Sequence, residues 1–268
     1  MQTNKMSSFR FGWRTADLAT ISLCRCYYEM LKYKTGVRRL YVANSLLADK
    51  LSSNIWLERQ RKDIYVKQAG KENYRCRSAY KLLQIDERFH ILKPGHVVVD
   101  CGAAPGSWCQ VAAQKVNSLG NDSSAPKGLV IGVDLQNVAP IDGVHMMQSS
   151  DFTVEATQCK ITEILQGRLA DVILSDMAPK ASGINFHDHE VIVKLCFSVL
   201  RFSLNVLREG GTLVCKLWTG GDQPRLETAM KSVFDHVRIV KPDASRDDSA
   251  EIFILGRGFK YSSQKNHK

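Results

Sequence analysis

From residue 96 onward the hydrophobic positions fall into two alternating rhythms. Short runs rich in Val, Ile and Leu read as strands: His96–Asp100, Leu129–Asp134, Val144–Ser149, Asp171–Asp176, Thr212–Trp218, Val237–Lys241 and Ile252–Leu255. Between them, Trp108–Val116, Glu155–Leu165, His187–Arg208 and Arg225–Phe234 space their apolar residues as helices do, the third stopping at Gly210-Gly211. Strands that are apolar along their whole length belong inside a sheet covered on both faces. The expected fold is α/β and Rossmann-like: a seven-stranded, mostly parallel sheet with helices on both faces. Residues 120–127 are expected to form a surface loop, and no internal repeat is visible.

Upstream the pattern changes. Ser53 or Asn54 can cap a short helix, and a second helix runs from about Ser78 through Tyr80, Leu82, Leu83 and Ile85. Residues 54–92 also carry Arg59, Arg61, Lys62, Lys67, Lys71, Arg75, Arg77 and Lys81, interleaved with Tyr65, Tyr74 and Tyr80. That mixture suits a nucleic-acid docking surface that contacts phosphates and stacks bases, or a solvated helix face over core tyrosines. We expect one domain over 54–262, with 54–92 as its basic docking helices.

Charge sharpens this division. The net charge is +10 over 268 residues, and residues 1–50 hold nine Lys/Arg against three Asp/Glu. Arg10, Arg14, Arg25, Arg38 and Arg39, set among Ser, Thr, Leu and Tyr, give a mitochondrial presequence or a basic disordered arm. A basic excess favours nucleic acid over anionic membrane as partner, through counterion release. No apolar run approaches the ~20 residues of a membrane span. Eight cysteines lack a Cys-x-x-Cys pair and read as free, mostly buried thiols. His187-Asp188-His189 are consecutive at a helix start and cannot all face one ion, so we expect capping and surface roles and no metal site.

The candidate chemistry lies at the strand ends, where open parallel sheets bind ligands. The first strand runs into Asp100-Cys-Gly102-Ala-Ala-Pro105-Gly106-Ser107-Trp108. A dinucleotide loop would read Gly-x-Gly-x-x-Gly. Proline and tryptophan here fit a cofactor without a pyrophosphate, such as S-adenosylmethionine. Asp134 ends the second strand, where an acid can hold ribose hydroxyls. Asp151-Phe152 follows the third, where a carboxylate can accept from an adenine amino group beside a packed ring.

Four further charges suggest catalysis. Asp176 ends the fourth strand, Lys216 stands inside the otherwise apolar fifth, Glu251 opens the last, and Lys81 lies on the basic helix. A lysine in a central strand is costly unless paired. Such a lysine can deprotonate, or steer and polarise, a weakly nucleophilic hydroxyl that attacks a sulfonium methyl. Asp176 opposes the shift a base would need, so both roles stay open. An RNA-binding assembly factor without activity is the competing reading, and two lysines in one cleft argue against it. An Asn/Asp-Pro-Pro-aromatic motif, typical of amino-group methylation, is absent after the fourth strand.

As a set, Arg77-Ser-Ala-Tyr-Lys81-Leu, the Asp100–Trp108 loop, Ser175-Asp-Met-Ala-Pro179, Cys215-Lys216 and Lys241-Pro-Asp-Ala-Ser-Arg246 followed by Glu251 resemble the FtsJ family of rRNA 2′-O-ribose methyltransferases, over roughly residues 55–260. The resemblance implies an S-adenosylmethionine-dependent methyltransferase fold and a Lys81–Asp176–Lys216–Glu251 tetrad led by Lys216. It implies cofactor contacts at Pro105, Gly106, Ser107, Trp108, Asp134, Asp151 and Asp176, and a uridine of large-subunit rRNA, free or in an assembling particle, as substrate. With the Arg-rich front end it implies a mitochondrial matrix enzyme, expected as a monomer. Ser107 and Lys180 depart from the glycine and asparagine common at those positions of the family. Ser107 should be harmless at negative φ; Lys180 could add a phosphate contact.

Overall fold

The computed structural model describes residues 57–179, 185–220 and 222–260. The chain divides into two contact units, Met1–Lys62 and Asp63–Lys268. Of the first unit, residues 57–62 are described and are helical. The expectations for residues 1–50, for the Ser53/Asn54 cap and for Lys180 lie outside the described residues.

The second unit opens with α1 (Ile64–Lys71) and α2 (Ala79–Phe89), followed by β1 (Val97–Cys101), α3 (Ser107–Lys115), β2 (Leu129–Val133), β3 (Val144–Met147), α4 (Glu155–Leu165), β4 (Ala170–Ser175), α5 (Asn185–Val206), β5 (Leu207–Trp218), α6 (Gln223–Val233), β6 (Phe234–Val240) and β7 (Glu251–Phe259). The sheet order is β3-β2-β1-β4-β5-β7-β6, parallel except for β7, which runs antiparallel to β5 and β6. Strand order reverses between β1 and β4, so the carboxyl ends of these two strands frame the binding crevice.

Alternation along the central strands sorts side chains between two cores. Val99, Cys101, Ile173, Leu213, Cys215 and Leu217 face a cluster that includes Ile161, Ile192, Val199 and Leu226 from α4, α5 and α6. Val98, Leu174, Val214, Phe253 and Leu255 face the other, with Leu82, Ile85, Trp108 and Val111 from α2 and α3. Each inward side chain contributes roughly 1.5–3 kcal/mol of burial.

Three expectations need correction. The long helix ends at Val206, and Leu207 already pairs with Ala170 in the sheet. Tertiary pairing thus overrides helical periodicity before Gly210-Gly211, which lie inside the irregular start of β5. Gly211 is needed there, because a Cβ would meet Leu207 Cγ at 2.7 Å. The basic segment contains an unforeseen break at Asp63, whose Oδ1 accepts from the amides of Tyr65 and Val66 and caps α1. Finally, the tyrosines form no base-stacking surface. Tyr80 packs against Tyr65 and Tyr74 at ring distances of 5.4 and 5.9 Å, and its hydroxyl donates to Glu72.

The basic side chains of this segment are also largely engaged. Arg77 pairs with Asp63 at 3.0 Å, donates to the Ala244 carbonyl and lies over the Tyr65 ring. Arg75 donates to three carbonyls, those of Pro105, Ala139 and Pro140, at 2.8–2.9 Å. Lys67 and Lys71 remain exposed. The 120–127 stretch is a mostly exposed loop of turns. Of the six described cysteines, all free, Cys101, Cys109, Cys196 and Cys215 are buried.

Candidate active site

The β1–α3 loop is held from three sides. Gly102 and Ala103 donate to the Val133 carbonyl, Ala104 donates to Asp134 Oδ2 at 2.8 Å, and Arg75 grips the Pro105 carbonyl. Gly106 has φ +112°, and a Cβ there would stand 2.5 Å from Ile141 Cδ1 and 2.8 Å from Arg75 Nη1. The backbone conformation and the close approach both require glycine. Ser107 follows outside the positive-φ region, so its side chain is tolerated; it is buried, with Oγ 3.1 Å from Cys76 Sγ.

Trp108 and Phe152 sit differently from expectation. The Trp108 ring is 2% exposed and 5.6 Å from Phe253, and its Nε1 donates to the Ser78 carbonyl. The Phe152 ring is 3% exposed and packs edge-on against Phe202. Both rings are core residues, because burial of a large apolar surface outweighs placement at an open crevice. Neither ring is open to a ligand in the crevice.

The acids gather at the carboxyl edge. Asp134 accepts from Ala104 and Gln136 amides, and Asp151 Oδ1 accepts from the Thr153 amide and hydroxyl, leaving Oδ2 without a partner among the described residues. Asp100 is fully buried; Oδ2 accepts from Cys109 Sγ at 3.1 Å and Oδ1 has no partner. Burial pushes the Asp100 carboxyl up to about 7, against the lowering hydrogen bond from Cys109, and the charges of Asp176 and Asp134 add to the rise. Carboxylates close enough to oppose one another's ionisation favour a cationic ligand. The charge, the free Asp151 oxygen and the orphaned Asp100 oxygen together fit a sulfonium nucleoside bearing an ammonium group, and would repel a pyrophosphate.

Strand register brings the four other charges together. Ser175 pairs with Cys215, so Asp176 leaves β4 beside Lys216; Trp218 pairs with Glu251 and Lys216 with Phe253. Lys216 shares its strand face with Val214, and Glu251 shares its own with Phe253, both directed toward α2. Lys216 Nζ is 2.9 Å from Asp176 Oδ1 and donates to the Asp176 main-chain oxygen at 2.5 Å. With three N–H donors, the ammonium serves the carbonyl and the Oδ1 carboxylate oxygen together. Lys81 Nζ reaches both Glu251 oxygens at 2.6 and 2.7 Å. Burial would push Asp176 up, but the Lys216 and Lys81 ammonium groups and hydrogen bonds from Lys216 and Ser78 hold it below the usual carboxylate range.

Two serines escaped the sequence reading. Ser78 Oγ donates to Asp176 Oδ2 at 2.8 Å, and Ser245 Oγ donates to Glu251 Oε1 at 2.8 Å. Each lies within a motif already quoted, yet a serine before a helix reads first as a cap. Ser78 makes no capping bond. The His187-Asp188-His189 expectation needs correction: Asp188 is 5% exposed and His189 Nε2 is enclosed, because this part of α5 packs down on the sheet.

Comparison with known proteins decides the family. The model of the FtsJ-like methyltransferases matches residues 74–259. The chain belongs to that family. Among its relatives, the mitochondrial rRNA methyltransferase 2 of Drosophila melanogaster is 47% identical over 209 residues, covering 78% of this chain and 84% of that protein. The ribosomal RNA large subunit methyltransferase E of Cereibacter sphaeroides is 50% identical over 211 residues, covering 79% and 86%. A crystal structure of a Plasmodium falciparum ribosomal RNA methyltransferase superposes with a TM-score of 0.60 at 31% identity, covering 69% of this chain and 98% of that one. The matched residues contain the whole β1–α3 loop and all four charges of the tetrad. No helix among the described residues is long and apolar enough to cross a membrane.

Proposed function

We propose that this family member transfers a methyl group from S-adenosylmethionine to the ribose 2′-hydroxyl of a uridine in mitochondrial large-subunit rRNA, acting as a monomer in the matrix during ribosome assembly. The observation that carries the reading is the pairing of Lys216 with Asp176 and Lys81 with Glu251 on one sheet face, beside the acid-lined crevice. The rRNA substrate is supported by the names of the relatives, the compartment by the Drosophila relative and the Arg-rich residues 1–50. A complete tetrad within one chain supports the monomer.

S-adenosylmethionine, when bound, would supply an electrophilic methyl on a sulfonium, whose sulfur would keep the electron pair of the broken C–S bond and remain as a neutral thioether. Asp134 would hold the ribose hydroxyls of the nucleoside, Asp151 Oδ2 would accept from the adenine amino group, and the loop Gly102–Trp108 would meet the cofactor through its backbone. Lys216, tied to Asp176, donates toward the acceptor oxygen and turns a lone pair onto the methyl carbon. An alcohol oxygen that has gained a methyl carries positive charge and sheds its proton readily, so orientation contributes more than a strong base. Asp176 Oδ1 is the nearby acceptor for that proton. Lys81 and Glu251 set the field around this pair and keep both lysines from being buried uncompensated.

The test is methylation of large-subunit rRNA from cells lacking the protein, mapped by resistance to alkaline cleavage. One protected ribose is expected, and Lys216→Ala should lower the rate about a thousandfold. A methyl recovered on a base, with every ribose unprotected, refutes the ribose reading. Wild-type rates in Lys216→Ala refute the assignment of Lys216, and ribosome assembly fully restored by that inactive variant favours an assembly factor.

A further inference from the structure

The opposite edge of the sheet carries the reverse charge. Lys127 and Gly128 lead into β2, Gly143 into β3 and Arg168 into β4, so all lie at the amino ends of the strands. Together with Ser118, Leu129, Val144 and His145 they line a cleft of about 460 Å³ whose wall is chiefly polar. The side chains of Lys127, His145 and Arg168 make no hydrogen bond or ion pair among the described residues, in contrast to Arg208, which is bonded to Asp171. Asp142, exposed beside Gly143, is the one acid adjoining the cleft in sequence, and Asp122 on the neighbouring loop accepts from Ser124. Three unpaired basic side chains therefore converge where a strand length, ~17 Å for five residues, separates them from the active site.

We infer that this cleft binds backbone phosphates of the RNA substrate, in a part of its fold remote from the acceptor nucleotide. The inference rests on the reading of the substrate as RNA. The Arg168 guanidinium offers a planar fork to phosphate oxygens and Lys127 a point charge. No Phe, Tyr or Trp lines the cleft, and the inferred contact is to phosphates, which positions RNA without reading sequence. Such a contact lowers the KM for a folded RNA and leaves the chemical step alone.

The experiment uses the full chain and a large-subunit rRNA transcript. Lys127→Gln combined with Arg168→Gln should weaken RNA binding about tenfold at moderate salt and flatten the slope of log K against log[KCl] by about 2, one for each lost contact. The KM for RNA should rise in parallel, with kcat at saturating RNA and the methylated position unchanged. Lys127→Arg with Arg168→Lys should restore most of the slope. Lys231→Gln, which removes a cation paired with Glu227 on α6, serves as the charge control. Unchanged affinity and slope in the double variant overturn the inference, as does an equal loss in the control. If inorganic phosphate perturbs the His145 ring in NMR spectra while RNA affinity ignores the double variant, the cleft holds free anion only and the RNA contact is wrong. Should the double variant melt early, the two single variants are read by the same slopes. Lys216→Ala should lower the methylation rate about a thousandfold and keep the full salt slope, so failure of this contact and failure of the ribose reading are separable.

Discussion

Arg75, Arg77 and Lys81 on one side, and Lys127 and Arg168 on the other, are similar cations with opposite commitments. The first three are tied to protein groups: Arg75 to three carbonyls, Arg77 to Asp63 and Ala244, Lys81 to Glu251. The second two meet no protein partner among the described residues. The acids divide in the same way. Asp176 is ion-paired with Lys216 and accepts from Ser78, whereas Asp100 has no cation beside it and only the Cys109 thiol as a hydrogen-bond donor. A committed charge builds the site and its removal costs stability or rate. An uncommitted one is available to a ligand, or destabilises the empty protein, according to whether it is exposed or buried.

The largest expected effect comes from the uncommitted buried acid. Asp100 ordinarily ionises near 3.8 and in the fold near 7, so below about pH 4 it is protonated in both folded and unfolded chains and costs nothing. Between these values the unfolded chain ionises and the folded one resists, and stability falls as pH rises, by about 4 kcal/mol above pH 7. Asp100→Asn removes this slope. Urea midpoints from pH 5 to 8 should show the variant gaining on the wild type as pH rises. Asp176, whose carboxyl is held low, gives the converse: its contribution is present at neutral pH and is lost only in acid, as pH falls through its depressed value. A gap between wild type and Asp100→Asn that ignores pH would break the contrast between the two acids.

Next in size is the committed arginine. Arg75→Gln strands three carbonyls and frees the β1–α3 loop, and should cost about 2 kcal/mol. The urea midpoint falls with an unchanged m-value. Lys127→Gln, at an unpaired surface cation, should stay within about 0.5 kcal/mol of wild type. Equal costs at the two positions would show that their bonding does not separate them.

All seven strands were legible in the pattern, because a strand buried on both faces must be apolar throughout, and their edges shifted by only a few residues except in β5 and β7. Asp176, Lys216 and Glu251 stood out because they interrupt or border apolar strands, whereas Lys81, one cation among many on its helix, was joined to them by the family resemblance. What the pattern hid depends on partners distant in the chain. Arg75 finds carbonyls 30, 64 and 65 residues away, and a main-chain carbonyl carries no mark of residue type. Leu207 leaves the helical rhythm because Ala170 pairs with it. Trp108 and Phe152 looked like cofactor walls because large rings suit a crevice and a core equally well. Tertiary neighbours decide such cases, and periodicity does not contain them.

The smallest effect tests how a committed charge is kept in place. Ser78 acts through another residue: its hydroxyl holds Asp176 Oδ2, and its carbonyl receives the Trp108 indole. Ser78→Ala removes the first contact and keeps the second, which is made by backbone. Loss of one hydrogen bond to a carboxylate, about 1.4 kcal/mol, corresponds to about a tenfold lower kcat, with the KM for RNA unchanged. Because that bond helps hold Asp176 low, the acid limb of the kcat–pH profile should move to higher pH in the variant, a change that loosened packing alone would not produce. Ser78→Thr, which keeps the hydroxyl, should recover both the rate and the profile. If Thr and Ala behave alike, the hydroxyl does not position Asp176, and the two lysines hold the carboxylate without it.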